Sequence, residues 1–158
     1  VLAGVVVAVV GVVGLVRGAM PQSVAANRGP TIPIVVTNAW LREPVPPTDA
    51  VAVYFTVYNT TSQADTLESV VSGAGSSAVL HTVIDGQMTA TESVIVPAKG
   101  QLVLKPGGGH LMITGLYGKI KKGQIVDVEL NFANAGPVDV AAKVIGLLDP
   151  APANAVTK

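Results

Sequence analysis

The sequence contains no cysteine. That excludes disulfides, thiolate metal sites, thiol nucleophiles and the cysteine ligand of a blue-copper centre. It fits an oxidising compartment, where a lone thiol is prone to oxidation while imidazole and thioether donors still bind metal. Charge is also scarce. Asp, Glu, Lys and Arg make up 13% of the 158 residues, and ten cations balance ten anions. No basic field is left to attract nucleic acid, so nucleic-acid binding is not expected. Aromatic residues are only 4% of the chain; valine is abundant instead, beside 17 Gly and 11 Pro. β-Branched residues between turn formers suit short strands better than helices.

Residues 1–16 are all Val, Leu, Ala or Gly, and Arg17 interrupts the run. Residues 1–19 therefore read as an export signal or membrane anchor, placing the protein outside the cytoplasm, in a periplasm or at the cell surface, either secreted or tethered. Ser23-Val24-Ala25 is a small-residue pattern compatible with cleavage, and without a lipobox cysteine no lipid attachment is expected. Residues 20–33 are polar with Pro and Gly, the composition of a linker. Residues 34–147 form the expected folded domain, and the Ala/Pro-rich stretch 148–158 has no periodicity and is expected to be a disordered tail.

Within the domain, Val126, Val128, Leu130 and Phe132 alternate with Asp127, Glu129 and Asn131, predicting a half-buried strand. Ala135-Gly136-Pro137 marks a turn, after which Val138 to Val144 alternates again and completes a C-terminal hairpin. Val51 to Tyr58 alternates with both faces largely apolar, as in an interior strand. Shorter strands are expected near residues 35–41, 66–71, 79–83, 93–96, 101–104 and 110–114. Seven or more short strands with Gly/Pro turns imply an all-β Greek-key sandwich or barrel.

All the histidines and two of the three methionines fall in one 32-residue window, His81-x6-Met88-x21-His110-x-Met112. On a strand, residues i and i+2 share a face, so His110 and Met112 can turn toward one ion while Leu111 and Ile113 enter the core. Thioether sulfur binds hard cations poorly and favours Cu(I), with imidazole as its companion; zinc signatures use Cys, His and carboxylate instead. Each residue also has a simpler role open to it, Met as a flexible core filler and His as a satisfied polar group. The joint pattern is what points to metal.

The sequence resembles the PCu(A)C family of periplasmic copper chaperones from about Ala39 to Val144. The resemblance is carried by Ala39-Trp40-Leu41-Arg42, Ala52-Val53-Tyr54-Phe55 running on to Asn59, Asp65-Thr66-Leu67, Val96-Pro97-Ala98, Leu104-Lys105-Pro106-Gly107-Gly108-Gly109-His110-Leu111-Met112, and Gly115-Leu116 followed by Gly123. It implies a cupredoxin-like fold, no enzymatic activity, a Cu(I) site of His81, Met88, His110 and Met112, and delivery of copper to a membrane acceptor, either the copper centre of cytochrome oxidase or another copper chaperone. The separation of Met88 from His110 matches the family pattern. The first interval, six residues against about ten, is shortened, and the neighbouring Met of many members is Thr82 here. An Asp85-Gly86 tight turn can still bring His81 and Met88 together. On this reading His110 and Met112 are the best-supported ligands and His81 the first expected to be lost.

Two other functions stay open on the residues alone. One is electron transfer on a cupredoxin-like fold, which the missing cysteine opposes; the other is a metal-free adhesion or interaction sandwich. Trp40 and Arg42 share a strand face, as a cation-π pair, a recognition surface or an aromatic anchor at the barrel edge. Lys105 to Gly109 lacks the phosphate-loop pattern and reads as a flexible turn delivering His110 to the rim. Asp85 and Glu92 read as solvated turn residues, since no nucleophile accompanies them.

Overall fold

The computed structural model describes residues 33–152. The apolar segment 1–19, the linker up to residue 32 and residues 153–158 lie outside the described residues. Among the described residues no helix is long and apolar enough to cross a membrane.

Ten strands follow one another: β1 (Ile34–Arg42), β2 (Ala50–Asn59), β3 (Asp65–Ser72), β4 (Gly75–Ile84), β5 (Gln87–Thr91), β6 (Val94–Val96), β7 (Gln101–Leu104), β8 (His110–Leu116), β9 (Ile125–Phe132) and β10 (Gly136–Ile145). They hydrogen-bond in the order β5-β4-β8-β2-β1-β10-β9-β3-β6, with β7 pairing the part of β2 beyond β8. Among the described residues every pairing is antiparallel except that of β1 with β10, which run side by side in parallel. The sheet curls until β3 lies along β4 without pairing to it. The all-β sandwich expected from the strand pattern, cupredoxin-like as the resemblance implies, is the architecture found.

The alternation predicted for β9 holds: Val126, Val128, Leu130 and Phe132 are buried and Asp127 and Glu129 exposed. Facing them in the core are Leu41, Val53, Phe55, Val57, Leu111 and Ile113, all fully enclosed. β1 enters this core with Ile34 and continues into it past a bulge. The register against β2 shifts between Thr37 and Trp40, with Asn38 left-handed at φ 53°. The extra residue reverses the alternation, so Leu41 opposite Val53 faces inward and Trp40 opposite Tyr54 faces outward.

One strand is announced by the Asp85-Gly86 turn and not by its own pattern. Gln87 to Thr91 is polar and nearly wholly exposed, with no apolar period to announce it. It forms because Asp85 (φ 50°) and Gly86 (φ 75°) make a two-residue turn between paired Ile84 and Gln87. Positive φ at both central residues is the conformation that a tight hairpin requires.

Candidate metal centre

The β4–β8 ladder places His81 directly opposite His110 and Val79 directly opposite Met112. Directly paired residues share a sheet face, so His81, His110 and Met112 stand on the outer face together. Leu111 and Ile113, alternating with them, are fully buried and anchor β8 in the core. On the other side of β4, Met88 pairs with Val83, two residues beyond His81, and so lies on the same face diagonally across from it. A diagonal cross-strand neighbour is about 7–8 Å away at the backbone, within reach of a long side chain.

The two imidazoles meet. His81 Nδ1 and His110 Nε2 are 3.4 Å apart, with the rings edge to face and their centroids separated by 5.2 Å. His110 Nδ1 lies 3.3 Å from the carbonyl oxygen of Gly108, an acceptor that assigns the ring proton to Nδ1 and leaves the Nε2 lone pair turned toward His81. The Gly108 carbonyl is held there by a closed turn, in which the Lys105 N–H donates to the Gly109 carbonyl and the Gly108 N–H to the Lys105 carbonyl, both at 2.9 Å. Gly107 takes a positive φ of 75° in that turn. Gly109 passes so close to the next strand that a Cβ there would stand 3.1 Å from the His81 carbonyl oxygen. Glycine at 107 and 109 is what lets this turn bring His110 against His81.

Two nitrogens 3.4 Å apart fit a metal bonded to both at about 2.0–2.1 Å with an N–metal–N angle of roughly 110°. That angle belongs to a trigonal or tetrahedral site. Among the described residues no group of three or more His, Cys, Asp or Glu side chains could hold a metal. The remaining donors on this face are therefore the sulfurs of Met112, half-buried, and Met88, 50% exposed on the β4–β5 hairpin. His81 directly faces His110 in the ladder, and Met88 is the outermost of the four side chains.

Sequence reasoning did not assign Tyr54 to this neighbourhood. It lies one step beyond the Val53–Leu111 pair, with its ring 6.3 Å from that of His110 and 4.7 Å from that of Trp40. Burial pushes its hydroxyl above the ordinary tyrosine range, and nearby Arg42 only partly offsets this. The period-two pattern of Val51 to Tyr58 puts Tyr54 on the face opposite Val53 and Phe55 without saying which face is outer, and the ring contact depends on pairing with β8.

Residues 34–144 match the profile of a family described as "Putative lipoprotein LpqE-like". The chain belongs to the LpqE-like family. A member of the curated proteins, "Putative lipoprotein Lxx21020" of Leifsonia xyli subsp. xyli, is 31% identical to this LpqE-like chain over 116 residues, which is 70% of this chain and 69% of the relative. The fold is shared with solved PCuAC domains. The copper-bound PCuAC domain from PmoF2 superposes with a TM-score of 0.64 at 24% identity, over 72% of this chain and 93% of that domain. The solution structure of CuI-DR1885 from Deinococcus radiodurans superposes with a TM-score of 0.62 at 25% identity, over 82% of this chain and 87% of that one.

Proposed function

We propose that this LpqE-like domain is an extracytoplasmic copper chaperone that binds Cu(I) through His81, His110, Met112 and Met88. The observation that carries the reading is the convergence of His81 Nδ1 and His110 Nε2 at 3.4 Å on the face that also bears the two methionines. Imidazole and thioether are neutral, soft-to-intermediate donors, and among the described residues no carboxylate groups with the two histidines to compensate a harder divalent ion. Copper-bound neighbours of the same fold support the choice of metal.

Release follows from the same arrangement. The two histidines and Met112 lie on paired central strands, whereas Met88 sits half in solvent on a two-residue hairpin at the sheet edge. An incoming soft ligand replaces Met88 first, and the ion then passes by exchange of one donor at a time, with no bond chemistry and hence no enzymatic step. The acceptor is a membrane protein, the copper centre of cytochrome oxidase or another copper chaperone. Segment 1–19 would keep the donor beside that acceptor, and the lipoprotein names of the family and of the Leifsonia relative support a location outside the cytoplasm.

The test is an anaerobic Cu(I) titration of residues 28–158 against a competing chelator, repeated with His110→Ala and Met112→Ala. Tight binding by the native domain and clear losses in both variants are expected. Equal affinity in all three would end the chaperone reading and leave a metal-free interaction domain.

A further inference from the structure

Trp40 faces away from the core, opposite Tyr54 on the outer side of β1 and β2, yet it is only 5% exposed. An outward-facing indole stays dry only when something covers it. The cover is Arg42, which is tied to the segment that follows β10. Arg42 Nη1 donates to the carbonyl oxygens of Gly146 at 3.0 Å, Leu147 at 2.7 Å and Asp149 at 2.8 Å. Asp149 accepts the Gly146 N–H at 2.8 Å and pairs with Lys122 at 2.9 Å. The same guanidinium lies over the Trp40 ring, its carbon 5.4 Å from the centroid. Further on, Ala151 and Pro152 line a cavity of about 200 Å³ with Trp40, Lys105 and Pro106, so the segment arrives against the turn that delivers His110.

The rings continue inward from this clamp. Trp40 to Tyr54 is 4.7 Å, Tyr54 to His110 is 6.3 Å, and His110 to His81 is 5.2 Å between centroids. His110 has one hydrogen bond to orient it from behind, and at 3.3 Å to the Gly108 carbonyl it is long. A second restraint is needed to stop the imidazole from rotating about its own side-chain bonds, and the Tyr54 ring occupies the flank where that restraint acts. Tyr54 is in turn kept from swinging outward by Trp40, and Trp40 by Arg42.

We propose that Tyr54 and Trp40, locked by Arg42 and the Gly146–Asp149 turn, are positioning residues that hold the His110 imidazole toward the metal, so that the segment after β10 sets how tightly Cu(I) is held. The inference rests on the copper reading above and adds a control element to the same site. A donor held in place before the ion arrives loses less freedom on binding, and supporting contacts of this kind commonly change metal affinity by about 10–100-fold when removed.

The experiment uses the full chain with four variants: Tyr54→Leu, Tyr54→Phe, Arg42→Ala and His110→Ala. Cu(I) affinity is measured anaerobically by chelator competition. Two metal-free signatures accompany it, the His110 imidazole nitrogen shifts by NMR and the emission of Trp40, the single tryptophan of the chain. Tyr54→Leu is expected to weaken Cu(I) about tenfold and to move the His110 ring resonances, while Tyr54→Phe, which keeps the ring, restores both. Arg42→Ala, one contact further out, is expected to weaken Cu(I) about threefold and to shift Trp40 emission to the red. If Tyr54→Leu and Arg42→Ala fold and bind Cu(I) as the native chain does while His110→Ala loses it, the positioning role is refuted and the copper reading stands. If the native chain itself fails to bind Cu(I), the copper reading fails and the positioning role falls with it. Should Tyr54→Leu not fold, Arg42→Ala at the edge of the stack decides the question alone.

Discussion

Asp65 opens β3 with its side chain buried, and its replacement tests how the domain is held together independently of any metal. Oδ1 accepts the Thr66 N–H at 2.8 Å, the Asn134 N–H at 2.9 Å and the Asn134 side-chain amide at 3.1 Å, and Oδ2 accepts the Ala135 N–H at 2.9 Å. One carboxylate thus ties the start of β3 to the turn between β9 and β10. Asp65→Ala leaves three backbone N–H groups without their acceptor, at about 1–3 kcal/mol each when water cannot replace it. These donors are partly buried, so the lower end applies and the total is about 3–4 kcal/mol, a large share of an ordinary domain's stability. Asp65→Asn keeps Oδ1 but turns an amide donor against the Ala135 N–H, for about 2 kcal/mol.

The acid dependence has a definite sign. Burial pulls the Asp65 carboxyl upward, but the N–H groups of Asn134, Thr66 and Ala135 and the Asn134 amide outweigh it and leave its pKa below the ordinary value. A carboxyl lowered in the folded state contributes stability that is fully present above its unfolded pKa, near 3.9, and is lost as pH falls through the folded value. Urea unfolding across this range should show the native domain's advantage over Asp65→Asn constant above about pH 5 and shrinking below about pH 4. A loss under about 1 kcal/mol in Asp65→Ala at neutral pH, or an advantage independent of acid, would refute the reasoning.

Two further outcomes follow from the geometry. A Cβ at Gly75 would lie 2.5 Å from the Thr114 carbonyl oxygen and 2.7 Å from Ile113 Cγ2, neither of which can yield without parting β4 from β8, so Gly75→Ala should cost about 1–3 kcal/mol in chemical unfolding. Its Cu(I) affinity should also fall, because the same ladder pairs His81 with His110. Cu(I) at a hundred times its dissociation constant should stabilise the native domain by about 2.7 kcal/mol in thermal unfolding. Met88→Leu should keep most of that shift and Met112→Leu should lose most of it, since Met112 lies on the central strand beside the histidines and Met88 stands at the exposed edge. The opposite order would remove the ligand ranking.

Nearly every strand was legible because its signal is local. Alternation over Val126 to Phe132 states which side is wet whatever the strand pairs with, and Asp85-Gly86 announces a tight turn from two residues alone. β5 was not legible from its own pattern because an exposed edge strand held by a turn and backbone bonds needs no apolar face. The bulge at Asn38 was equally hidden, since one inserted residue changes the side on which Trp40 emerges without changing the composition around it.

By itself the sequence determined which candidate donors exist: two imidazoles, two thioethers in the same 32-residue window, no thiol, and a strand that separates His110 and Met112 from the core by simple alternation. Only the tertiary structure decided which of those donors meet. His81 faces His110 through the register of two strands 29 residues apart, and a slip of one position would send one ring to the opposite face. The covering of Trp40 was decided the same way, because Arg42 reaches carbonyls more than a hundred residues further along the chain. Away from the bulge at Asn38, local pattern fixes the face a side chain occupies; the closure of distant strands fixes its neighbours.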